Sequence, residues 1–252
     1  MNKVIEEILK KKPHLDGPLR FYESTLEFME SVKALKISPR PEKNAYSPET
    51  VDVIFERFTS YITLPEGSLS PLKRAMELGD IDFTRLPLGE VPAFSLPYAE
   101  DDLAMLLYLV SKPYFHALRE ACRLDGRAWE GGMCPVCNGR PSITWIDDGR
   151  RLVSCSFCGA RGYVDRAGCP LCLTVDEAKQ KALLFDGEDG FRINTCDHCG
   201  SYVKDIGADL IAGLSPELAD LVSLPLDFVV QEKGFQRRSP NPIGMRKITT
   251  RG

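Results

Sequence analysis

The sequence predicts an α+β protein: an N-terminal all-α helical domain, then two small β modules organised by cysteines, then C-terminal helices. Three observations carry this prediction. Residues 1–121 hold no cysteine and place apolar side chains at helical spacing. Eight of the nine cysteines then fall into four Cys-x-x-Cys pairs within residues 134–199. After the last pair, helical signals resume at Ser215. The expected divisions are a helical domain over 1–128, a first four-cysteine ribbon over 129–166, a second over 167–207, and C-terminal helices and tail over 208–252.

In the N-terminal part, "DGPLRFYESTLEFMESVKAL" offers Asp16 as a helix cap, with Leu19, Tyr22, Leu26, Met29 and Val32 on one face. "SPETVDVIFERFTSYI" sets Ser47 before Pro48 at the first helical position, followed by Val51, Ile54, Phe55, Phe58, Tyr61 and Ile62. "PYAEDDLAMLLYLV" contributes Leu103, Leu106, Leu107 and Val110. Pro113 is expected to end that helix and open another, "PYFHALREACRL". Five or six helices of this kind suffice to bury their own core. The Pro-rich stretches "KISPRPEKNAYSPE" and "RLPLGEVPAFSLPY" lack periodicity; the first reads as a loop, and Leu88, Val91, Phe94 and Leu96 in the second suggest a segment packed across the helices.

The cysteine pairs are Cys134/Cys137, Cys155/Cys158, Cys169/Cys172 and Cys196/Cys199. The N-terminal stretch "MNKVIEEILKKKPHL" has neither an apolar core nor a cleavage site of a secretory signal, so the expected compartment is the reducing cytoplasm. Four thiol pairs are too many for one redox centre, and no alternating strand and helix pattern surrounds any of them, which disfavours a thiol-disulfide enzyme. Metal binding is the better reading. Seventeen residues separate Cys137 from Cys155 and twenty-three separate Cys172 from Cys196, against ten between Cys158 and Cys169. Sequential pairing therefore gives two tetrahedral sites, 134/137/155/158 and 169/172/196/199, each spanned by enough chain for a small ribbon. Interleaved pairing of first with third and second with fourth is the alternative. Pro within "CPVC" and "CPLC", and Gly159 and Gly200 after the second and fourth pairs, suit tight metal knuckles. Two metal ions are expected, zinc as the structural default and iron as its competitor, since four thiolates suit both. Such modules are rubredoxin-like or zinc-ribbon-like. His198 could stand in for a cysteine, but four thiolates already complete the set. Cys122, among Leu118, Ala121 and Leu124, reads as a small buried hydrophobe.

"CPVCNGRPS" followed by "CSFC", "CPLC", "CDHCGSYVK" and "LADLVSLPLDFVVQEKGFQRRSPNPIG" resembles the formate dehydrogenase accessory protein family, FdhE, closely over residues 133–245 and more loosely before them. The resemblance implies a helical domain with two rubredoxin-like or zinc-ribbon modules, acting in the cytoplasm on the maturation of formate dehydrogenase, with that enzyme's catalytic subunit as partner. It implies an assembly factor and not the dehydrogenase. Where the family usually has Gly after the second cysteine, this chain has Asn138 and then Gly139; Asn tolerates the left-handed conformation, so metal binding is not threatened.

Charge weighs against the commonest other use of zinc ribbons. Residues 1–122 carry 15 basic and 19 acidic side chains, 123–172 carry 7 and 5, and 173–252 carry 10 and 12. No segment has the positive excess that phosphate neutralisation needs, so nucleic-acid binding is the runner-up and a rubredoxin-like redox role comes after it. No apolar run is long enough to cross a membrane. No Gly-rich phosphate loop, Ser/His/Asp set or catalytic carboxylate pair occurs, so no enzymatic activity is expected. His198, inside the last knuckle, and Tyr202, just beyond it, are the candidate partner-binding residues, with Asp205 beside them. A homodimer is left open.

Overall fold

The computed structural model describes residues 2–33, 48–64, 67–81, 97–165 and 167–248, and divides into two compact units, Met1–Cys122 and Arg123–Gly252. The first is helical. Helices α1 (Asn2–Lys11), α2 (Asp16–Lys33), α3 (Pro48–Tyr61), α4 (Ser70–Glu77) and α5 (Glu100–Cys122) are its described elements. Helix α2 packs on α3 and α5, and α3 on α4. The centre of the α2/α3 contact is an edge-to-face pair of Phe28 and Phe58, with ring centroids 5.1 Å apart.

The helix boundaries of α3 and the inward Val51, Ile54, Phe55, Phe58 and Ile62 agree with the sequence pattern. Two expectations are corrected. Along α2 the buried stripe is Leu19, Tyr22, Thr25, Phe28 and Val32, whereas Leu26 and Met29 are only partly covered. Thr25 tolerates burial because its hydroxyl donates to the Phe21 carbonyl at 2.9 Å, one turn back. Pro113 ends nothing: α5 runs through it for 23 residues. Residues Leu106 to Phe115 are all buried, so packing on every side outweighs the hydrogen bond that proline cannot donate. Ser47, the first Pro-rich loop up to that residue, and Leu88, Val91, Phe94 and Leu96 lie outside the described residues.

The second unit is one sheet with helices. Its strands are β1 (Arg127–Ala128), β2 (Ile143–Asp147), β3 (Arg150–Ser154), β4 (Arg161–Val164), β5 (Gln180–Leu184), β6 (Phe191–Cys196), β7 (Ser201–Ile206) and β8 (Gln236–Arg237). The order is β1-β4-β3-β2-β7-β6-β5, with β8 also on β7. Strands β2–β4 form one antiparallel meander and β5–β7 another; the parallel pairing of β2 with β7, Ile143 opposite Lys204 and Thr144 opposite Asp205, fuses them. The "DDGRR" stretch is the β2–β3 hairpin turn, where Asp148 (φ 45°) and Gly149 (φ 72°) take the left-handed backbone that a two-residue hairpin requires.

Helices α6 (Ala208–Gly213), α7 (Pro216–Val222) and α8 (Leu224–Glu232) follow. Ser215 caps α7, its hydroxyl accepting from the Leu218 N–H at 3.2 Å, and Pro225 sits in the first turn of α8. Every residue of β7 is buried, as expected for a strand with neighbours on both edges and cover on both faces. The tail after α8 is irregular yet buried from Ser239 to Gly244.

Candidate metal centres

All four knuckles share one backbone plan. The residue after the second cysteine donates its N–H to the carbonyl of the first: Asn138 to Cys134 at 2.8 Å, Gly159 to Cys155, Leu173 to Cys169 and Gly200 to Cys196 at 2.9 Å. In three knuckles the first cysteine's N–H also bonds a carbonyl five residues on, Gly139, Ala160 and Thr174 respectively. In the fourth, Cys196 pairs with Ser201 across the β6–β7 turn. Closing so tight a turn demands positive φ at the residue after the pair, and all four have it: Asn138 58°, Gly159 73°, Leu173 61° and Gly200 63°. Asn138 thus does what its side chain tolerates.

The turns bring the thiols together in sequential sets. Cys134, Cys137, Cys155 and Cys158 form one group and Cys169, Cys172, Cys196 and Cys199 the other, every sulfur within 4.8 Å of its three companions. In the first, Cys134 lies 3.5 Å from Cys158 and Cys137 3.5 Å from Cys155; in the second, Cys169 lies 3.9 Å from Cys199 and Cys172 3.8 Å from Cys196. A tetrahedral site with metal–sulfur bonds of about 2.3 Å places its sulfurs roughly 3.8 Å apart. Disulfides need about 2.05 Å, and all nine cysteines are free. Both groups therefore fit a four-thiolate metal ion, and together they could hold two.

The thiols of the first group compete for one negative charge. Hydrogen bonds from Cys137, Cys155 and Cys158 hold Cys134 far below the ordinary thiol range, while Cys134 in turn raises Cys137 and Cys158. Four such sulfurs ionise together only around a cation, which supplies the missing charge. In the second group burial raises Cys169 and Cys199. Burial also opposes ionisation of Cys172, but the Thr174 backbone N–H and the His198 side chain bring it down to about 7.

The groups are seated differently. The first is sealed, its cysteines 0–5% exposed, with Phe157 of the second knuckle buried beside them and the Ser156 hydroxyl donating to the Pro240 carbonyl at 2.7 Å. In the second, Cys172 and Cys199 are half-buried and His198 and Asp197 are exposed. The tail touches both: the Ser239 hydroxyl donates to the Arg140 carbonyl, and Arg238 donates to the Cys199 carbonyl at 2.8 Å and the Ser201 hydroxyl at 2.6 Å.

Three expected positions are corrected. Tyr202, read as a partner contact, is 3% exposed, and its hydroxyl donates to Asp227 at 2.6 Å and accepts from Gln231. Asp205 is buried as well, accepting from the Thr144 hydroxyl at 2.9 Å and paired with Arg192. Both side chains belong to β7, whose two faces are covered. Cys122, read as buried, is exposed at the last residue of α5. His198 is exposed.

A buried ionic cluster escaped the sequence reading. Lys204 of β7 pairs with Asp220 at 2.7 Å and Asp227 at 2.5 Å, and Arg237 of β8 pairs with the same two carboxylates. Two cations and two anions balance inside the fold, and all four are nearly or wholly buried. Burial would push the Asp220 carboxyl up, but Arg237 and Lys204 win and hold it below the usual range; burial, then Asp227, pushes the Tyr202 hydroxyl well up. The cluster joins β7, α7, α8 and β8. Its signal was present as single aspartates in the apolar run "LADLVSLPLDFVV".

Fold and sites together define a two-cage metal-binding α+β protein with a helical N-terminal unit. Residues 153–243 match the family model described as FdhE, C-terminal domain. The chain is 26% identical to a Protein FdhE homolog from Aquifex aeolicus over 94% of this chain and 92% of that one, and 29% identical to one from Rhizobium meliloti over 79% and 68%. A crystal structure of the FdhE protein from Pseudomonas aeruginosa shares the fold, with a TM-score of 0.51, 21% identity, and coverage of 94% of this chain and 79% of that one. The chain is thus similar to FdhE proteins along most of its length and to their C-terminal domain over residues 153–243.

Proposed function

We propose that this chain is a non-catalytic accessory factor that binds the catalytic subunit of a formate dehydrogenase in the cytoplasm and serves its maturation. The observation that carries the reading is the pair of all-cysteine groups in a chain similar to Protein FdhE homologs. Four thiolates fill a tetrahedral ion's coordination, so neither group leaves a position for a substrate, and the contribution to the client comes from binding. The eight cysteines are the metal ligands, with zinc the first expectation and iron the alternative. Metal analysis by mass spectrometry with visible absorption distinguishes them, because a ferric tetrathiolate is coloured and zinc is not. Among the described residues no helix is long and apolar enough to cross a membrane.

The test is co-purification of the chain with a formate dehydrogenase catalytic subunit, under reducing and oxidising conditions and with either metal supplied. Association in at least one condition is expected; none in any condition would remove the accessory reading. His198→Ala, with both metals retained, asks whether the exposed fourth knuckle is part of the contact, and lost association would place it there.

A further inference from the structure

The two cages differ at matched positions. Between the cysteines of its later knuckle the first cage carries Ser156 and Phe157, both buried, with the serine fastened to the tail. At the same two positions the second cage carries Asp197 and His198, both exposed. The sulfurs follow suit: none of the first four is more than 5% exposed, while Cys172 and Cys199 are only half-buried. Ligand exchange at a four-thiolate ion starts with an incoming donor reaching the ion or a sulfur. Access of that kind exists at Cys172 and Cys199 and is closed at the first cage.

We propose that the second cage is an exchange site, which takes up a divalent metal ion from, and gives it to, an external donor such as a chelator or a thiol-bearing partner, while the first cage holds its ion as a permanent structural part. This rests on both cages binding metal. In the exchange the ion leaves as a divalent cation to the acceptor's own donor atoms, the freed thiolates take up protons from water, and nothing is oxidised or reduced. His198, exposed between Cys196 and Cys199, offers an imidazole donor to the ion as a thiolate detaches.

The full chain, loaded with two equivalents of zinc under reducing conditions, is mixed with a chromophoric chelator in excess. Release is expected in two phases of one equivalent each, at least tenfold apart in rate. Iodoacetamide footprinting of the same sample by mass spectrometry should label Cys172 and Cys199 with the fast phase and Cys134, Cys137, Cys155 and Cys158 only with the slow one; exposed Cys122 serves as the metal-independent control. The double change Asp197→Ser with His198→Phe, which copies the sealed knuckle, should slow the fast phase several-fold with the fold and the metal content unchanged. Both equivalents leaving at one rate, labelling of the first cage ahead of the second, or uptake of a single ion held by the first cage would each overturn the proposal. None of these outcomes bears on whether the chain associates with formate dehydrogenase, so the two readings fail separately.

Discussion

Leu173 holds a backbone conformation that costs a side-chain-bearing residue about 1–2 kcal/mol, because φ of 61° crowds its Cβ. Its three counterparts are Asn or Gly. Leu173→Gly is therefore expected to raise the thermal stability of the metal-loaded protein, by about 1 kcal/mol after the greater flexibility of the unfolded chain is subtracted, and a calorimetric melt checks it. Asp220 behaves oppositely. Asp220→Ala leaves Lys204 and Arg237 buried with one carboxylate between them, and such a broken pair costs about 3–5 kcal/mol. The pH dependence has a definite sign. The folded carboxyl of Asp220 lies below its unfolded value of about 3.9, so its stabilisation is full above that value and lost as pH falls through the folded one. The stability gap between the wild type and Asp220→Asn should be wide at pH 7 and shrink below about pH 4 in denaturant titrations.

At the level of elements, Gly162 of β4 shows why the first meander closes as it does. A Cβ there would lie 2.3 Å from Trp129 Nε1 and 2.4 Å from the Arg127 carbonyl, and the second of these belongs to the parallel β1–β4 pairing. Backbone cannot step aside as a flexible side chain can, so Gly162→Ala should cost roughly 1–3 kcal/mol and shift Trp129 fluorescence as β1 detaches. A mutation to α5 gives the complementary test. Replacing Pro113 by Ala restores the missing N–H to the Leu109 carbonyl; about 3 kcal/mol of helix-interior cost, less about 1.6 kcal/mol of buried methylenes, leaves a net gain near 1 kcal/mol. The α5 case also shows a limit of local reading. Proline is a sound stop signal for an isolated helix, but a helix buried along ten consecutive residues is held by its neighbours.

For the molecule as a whole, removal of metal should act unevenly. The ribbons have four-cysteine groups that could each be held together by a metal ion, whereas the helical unit has an apolar core of its own, including Phe28, Ile54, Phe58 and Leu107. Chelation of both ions is expected to abolish the ordered amide signals of residues 134–206 while most of the helical circular dichroism survives. The modules will not respond as strangers. Strands β2 and β7 are paired and the tail segment from Arg238 to Pro240 binds both, so Cys134→Ser should loosen the second ribbon as well as emptying the first cage.

The sequence alone determined the helical first part, the strand-forming stretches between knuckles, the Ser215 cap and the eight candidate ligands. All of these are local: helical period, turn chemistry and thiol spacing act over a few residues, and the likeness to FdhE proteins is written in motif order. Only the tertiary structure decided that the pairs close sequentially and not by interleaving, since that depends on which ribbon strands meet. It also decided the fusion of two meanders through β2 and β7, the burial of Tyr202, Asp205 and the Lys204/Arg237 cluster, and the unequal exposure of the two cages. Each of these depends on partners 10 to 99 residues away, such as Ser239 on Arg140, and a chain read one neighbourhood at a time does not contain them.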